Sequence, residues 1–124
     1  MIKLIGTAYR RDDYSPEEFM RYWNEVHAPI GGAVPGIRGY VISEGVQKLQ
    51  GDIDADAFVE VWYDDIEAFE KAGASPEQAA AWADVGNYAK TTGTFWIARE
   101  HIQIPPPISG PGLLSARGTQ QTGT

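Results

Sequence analysis

Two histidines are the natural starting points for chemistry in this chain, and their settings differ. His27 lies near the end of SPEEFMRYWNEVHAPI, residues 15–30, where Phe19, Trp23 and His27 recur every fourth residue and so share one apolar helix stripe. An imidazole on such a stripe needs a hydrogen-bond partner or a ligand. It reads either as a cleft-edge histidine that closes the helix end or as a general acid/base on a pocket wall. Tyr40 follows a ProGlyIleArgGly turn, at the point where the chain leaving that helix returns to a strand. A phenol near an imidazole puts a donor and a switchable base in one pocket. His101 alternates with Arg99 and Ile97 and reads as a structural or surface residue. The two histidines lack HxxxH or HxH spacing, so no metal site is expected.

Other reactive groups have plainer readings. Asp64 and Asp65 stand at a strand-to-helix junction, where aspartates cap helices. Glu60 shares strand parity with Phe58 and Trp62, and Glu100 lies near Trp96 and Ile102, so each belongs either to a partner-facing surface or to a cavity. No serine stands in a GxSxG elbow, and no glycine run forms a phosphate-cradling loop or a dinucleotide fingerprint. No cofactor is expected. Most aromatic residues read as core or interface, and the expected cavity wall is Trp23, Trp62, Trp82 and Tyr88.

These side chains need elements to hold them. Residues 2–9 alternate two largely apolar faces, as a central strand requires. Ser15, Pro16 and Glu18 write a capping box with proline at the first helical position, and Pro29 places the helix end close to His27. Strands follow over 39–46 and 57–63, then a short helix over 64–72. Ser75, Pro76 and Gln78 repeat the start grammar for a helix over 76–89, and a last strand falls within 92–104, stopped by three prolines. The order βαββαβ is the split βαβ, or ferredoxin-like, arrangement: an α+β fold with one antiparallel sheet and two helices on one face. Residues 1–104 make the domain, and 105–124, rich in Gly, Ser, Thr and Gln, read as a flexible or partner-wrapping tail.

Composition narrows the partners. The 124 residues suit one domain, and the net charge of −7 opposes nucleic-acid phosphates and anionic membranes. No apolar run spans a bilayer and the N-terminus lacks a signal-peptide layout, so a cytoplasmic protein is expected. The absence of cysteine removes disulfides and thiolate chemistry. A small apolar or aromatic ligand is the favoured partner. With helices on one face only, the other face of the sheet is apolar and bare, and a homodimer that pairs two sheets covers it.

The segments SPEEFMRYWNEVHAPI, VPGIRGYV and VEVWYDDIEAF, in this order and spacing, resemble the EthD-like family of dimeric α+β barrel proteins over residues 1–104. The resemblance implies a ferredoxin-like fold paired into a barrel, with a cleft in each subunit. It also implies that His27 and Tyr40 match cleft residues of the related 4-methylmuconolactone methylisomerases. The function so implied is a cofactor-free isomerase, cyclase or lyase, with His27 moving a proton of a lactone, aromatic or polyketide-like compound. The alternative is a ligand-binding accessory protein of a monooxygenase system of the ether-degrading type.

Overall fold

The computed structural model describes residues 1–107, and the expected tail from residue 108 onward lies outside the described residues. Four strands, β1 (Ile2–Ala8), β2 (Gly39–Glu44), β3 (Ala57–Tyr63) and β4 (Phe95–Ala98), form one sheet in the order β2-β3-β1-β4 with every neighbouring pair antiparallel. The helical layer consists of α1 (Pro16–Tyr22), a π turn (Trp23–His27), α2 (Ala28–Gly32), α3 (Ile66–Gly73) and α4 (Pro76–Val85). This is the ferredoxin-like α+β fold.

Local rules account for the helix starts. The Glu18 backbone N–H donates to Ser15 Oγ (3.1 Å) and the Ser15 N–H to Glu18 Oε1 (2.8 Å), which completes the capping box. Ser75 receives the Gln78 N–H at 3.1 Å, and Asp65 receives the Ala68 N–H at 2.8 Å. Asp65 is therefore a cap, while Asp64 accepts from Arg38.

The first helix does not stop at His27. It runs on to Gly32 through the π turn, in which the Ala28 N–H reaches back five residues to the Trp23 carbonyl. In a straight α-helix Pro29 would crowd the Glu25 carbonyl four residues earlier, and the wider turn directly before it opens that spacing. Three other elements are shorter than their sequence patterns, among them the strand expected over 39–46, which ends at Glu44. The helix expected over 76–89 ends at Val85, and the strand expected over 92–104 is only Phe95–Ala98, so His101 is an exposed residue beyond the strand. The alternation that suggests a longer strand persists in the sequence, but β1 offers partners only from Lys3 to Gly6.

The core lies between sheet and helices: Phe19, Trp23, Val59, Val61, Tyr63 and Tyr88 are buried there. Gly6 lets β4 approach, because a Cβ at this position would meet Phe95 Cδ1 at 2.1 Å. On the opposite face the register aligns Lys3 with Trp62 and Ile5 with Glu60. Val41, Phe58 and Trp96 project from that face and are exposed. Among the described residues, no helix is long and apolar enough to cross a membrane.

Candidate functional site

A cavity of about 180 Å³ opens between the helical layer and the sheet. Leu4, Val59 and Val61 form its floor, Trp23, His27 and Gly31 one wall, and Trp82, Val85, Tyr88 and Phe95 the other. Apolar cavities of roughly 150 Å³ accept a benzene-sized guest, so this one suits a small ring compound.

The π turn and α4 together position His27, which is 7% exposed. Its Nδ1 lies 2.8 Å from Asp84 Oδ2. The other carboxylate oxygen, Oδ1, accepts from the Tyr22 hydroxyl at 2.7 Å and from Asn87 Nδ2 at 2.9 Å. Burial on its own pushes the Asp84 carboxyl up, but the hydrogen bonds from Tyr22, Asn87 and His27 outweigh it and hold the group below the usual carboxylate range. An ionised carboxylate only accepts, so Nδ1 must carry the proton of the His27–Asp84 bond. The tautomer follows: in the neutral ring Nε2 is the acceptor. Among the described residues Nε2 has no protein partner, and His27 is one of the residues that line the cavity.

Tyr40 enters from the first residues of β2. Its hydroxyl accepts the Trp23 Nε1–H at 3.0 Å, which leaves its own proton available. Gly31 makes room for the ring, since a Cβ there would sit 3.3 Å from Tyr40 Cε2 and 3.4 Å from its hydroxyl. Burial pushes the Tyr40 phenol up despite the Trp23 contact, so it remains a donor at neutral pH. Tyr88 completes the wall. Its ring centroid is 4.9 Å from that of His27 and 5.6 Å from that of Trp23, and the Arg11 N–H donates to its carbonyl at 3.0 Å.

Of the residues expected from sequence, His27, Tyr40, Trp23, Trp82 and Tyr88 line one cavity. Trp82 stands at its rim, 56% exposed and edge-on to Phe95. Trp62 is elsewhere. Alternation along β3 gives the helix side to Val61 and Tyr63, so Trp62 projects from the opposite face, where Lys3 Nζ lies 5.2 Å from its ring and its Nε1 donates to Glu100. Glu60 and Glu100 are on that face too, both paired with Lys3. The sequence reading missed Asp84, Tyr22 and Asn87. A signal for Asp84 was present: it is in helical phase with Ala81 and Tyr88, a carboxylate on an apolar stripe, by the same rule that singles out His27.

A βαββαβ sheet with a helical layer and an imidazole-bearing cleft between them defines a ferredoxin-like α+β protein. The chain belongs to the EthD domain family, whose sequence model matches residues 11–92. No curated protein matches it. Among solved structures it resembles an ethyl tert-butyl ether d (EthD) family protein from Bacillus halodurans, with 27% identity, a TM-score of 0.69, and coverage of 82% of this chain and 99% of that one. A dimeric protein of unknown function and ferredoxin-like fold from Bacteroides fragilis is similar at 14% identity and a TM-score of 0.57, covering 80% of this chain and 95% of that one. SnoaB, a cofactor-independent oxygenase from Streptomyces nogalater, is similar at 15% identity and a TM-score of 0.58, covering 85% and 97%. At these identities the last two bear on the fold alone.

Proposed function

We propose that this protein is a cofactor-free isomerase, cyclase or lyase that acts on a small lactone, aromatic or polyketide-like compound through proton transfer at His27. The observation that carries this reading is the His27 ring, anchored through Nδ1 by Asp84 on the lining of a largely apolar cavity. Nε2 takes a proton from the substrate, and the imidazolium so formed is stabilised by the Asp84 carboxylate behind it. The same nitrogen returns the proton at a second position, which is the net requirement of an isomerisation. Tyr40, its oxygen already accepting from Trp23, donates its proton to a substrate oxygen and stabilises charge that develops there. Trp23, Trp82 and Tyr88 hold the ring of the substrate.

The protein acts as a homodimer in this reading, with the open sheet faces of two copies packed together. Exposed Val41, Phe58 and Trp96 on that face support it, as does the dimeric state of the fold neighbour from Bacteroides fragilis.

The test is turnover of lactone, aryl ketone and polyketide-like compounds by the wild-type protein and by His27→Ala. Loss of roughly 10²- to 10⁴-fold in rate is expected on losing the acid/base. Unchanged turnover contradicts the role of His27, and saturable binding with no turnover assigns the protein to the ligand-binding accessory class instead.

A further inference from the structure

We propose that Tyr88 is a ligand-binding group, and that the cavity takes a neutral planar ring compound carrying both a carbonyl oxygen and a hydroxyl. This rests on the acid/base reading of His27, because it takes Nε2 as the acceptor of the site.

Tyr88 first looks like an ordinary core aromatic. It is 3% exposed and its ring meets Phe19, Tyr22, Trp23 and His27. Phenylalanine would make all four contacts without bringing a hydroxyl out of water. Buried tyrosine hydroxyls ordinarily find a partner. Those of Tyr22 and Tyr40 do, on Asp84 and Trp23. The hydroxyls of Tyr63 and Tyr88 have none among the described residues, and both residues line the cavity; the one whose ring meets His27, with centroids 4.9 Å apart, is Tyr88. Burial foremost, with neighbouring Tyr40 and Asp84, pushes this phenol up, which keeps its O–H in place as a donor.

The lining thus carries the phenols of Tyr40 and Tyr88 and the imidazole acceptor, along with Tyr63, Thr7, Gln78, Lys90 and Thr91. A carbonyl oxygen has two lone pairs and can receive both phenols. A hydroxyl on the same ring satisfies Nε2. An anionic ligand fits poorly. The cation on the lining, Lys90, is paired with Asp12 at 2.9 Å, and the Asp84 carboxylate stands behind His27. A carboxylate would be brought out of water toward like charge.

The experiment is calorimetric titration of the full chain with 3-hydroxyacetophenone, acetophenone, phenol and 3-hydroxybenzoate, repeated on Tyr88→Phe. Circular dichroism and thermal melting establish that the variant, which keeps its ring contacts, is folded. Wild type is expected to bind the hydroxyketone about five- to tenfold more tightly than acetophenone or phenol, and the benzoate more weakly still. Tyr88→Phe should weaken both ketones by about the same factor and leave phenol unchanged. Equal ketone affinity in folded Tyr88→Phe and wild type overturns the proposal, as does tighter binding of the benzoate or no saturable binding of the hydroxyketone. The two premises separate in the same data. If the ketones weaken in Tyr88→Phe but hydroxyketone and acetophenone bind wild type equally, the acceptor role of His27 fails and the assignment of Tyr88 as a carbonyl donor survives.

Discussion

At the scale of single residues the site is a relay of constraints that ends at one nitrogen. Tyr22 and Asn87 both donate to Oδ1 of Asp84, so Oδ2 is left for His27. In Asp84→Asn those two donors keep the amide oxygen in the Oδ1 position and turn the NH₂ toward Nδ1. Nδ1 must then accept, and the proton moves to Nε2, which becomes a donor at the cavity. The expected result is a fall in turnover of the same order as His27→Ala, roughly 10²- to 10⁴-fold, in a variant of nearly unchanged shape. Steady-state rates on one substrate for both variants check it. A second prediction concerns alkali. The Tyr88 phenol is raised in the folded protein, so its contribution to stability is complete below its unfolded value of about 10 and is lost as pH rises above that. Tyr88→Phe should therefore flatten the decline of Tm above about pH 10, read by melting curves at successive pH values. His27 was legible in the sequence because a polar residue broke an apolar period. Asp84 broke one in the same way, but its meaning depends on α4 lying beside the π turn, a pairing that no local pattern states.

At the scale of elements, the capping grammar carried most of the fold. Ser15 and Ser75 start their helices where the sequence places them, and Asp65 caps a helix that begins at Ile66 rather than at residue 64. Ends were harder, because they are set by tertiary partners. Pro29 signals a stop only for a straight α-helix, and the π turn at Trp23–His27 carries the chain past it. The last strand ends where β1 stops pairing with it, although its own alternation continues. Close approach between strands gives a test at this level. Gly6→Ala places a methyl carbon 2.1 Å from the Phe95 ring, which must then shift at the cavity wall. Destabilisation of about 1–3 kcal/mol is expected from such overpacking, measured by urea unfolding, together with altered ligand affinity.

At the scale of the whole molecule, one face of the sheet is covered by helices and the other is open. The open face combines exposed Phe58 (43%) and Trp96 (62%) with the Lys3, Glu60 and Glu100 cluster, in which one ammonium pairs with both carboxylates and a net negative charge remains. Two such faces stacked about 10 Å apart would bury the aromatic groups. Light scattering at micromolar concentration should give twice the chain mass, and Phe58→Asp should give the monomer, because it puts an unpaired charge into the interface. A stable wild-type monomer contradicts the dimer. The parity of β3 made this face readable in advance, and the same parity removes Trp62 from the cavity once the burial of Val61 and Tyr63 fixes which side faces the helices.

Asp84 fixes His27 with its proton on Nδ1 and its free electron pair on Nε2. Nitrogen-15 NMR of the imidazole rings reads this directly, and with only His27 and His101 in the chain the assignment is simple. The neutral His27 ring of the wild-type protein should show a protonated Nδ1 and an unprotonated Nε2, with the pattern inverted in Asp84→Asn. A neutral wild-type ring protonated on Nε2, or a tautomer indifferent to Asp84→Asn, would contradict the account.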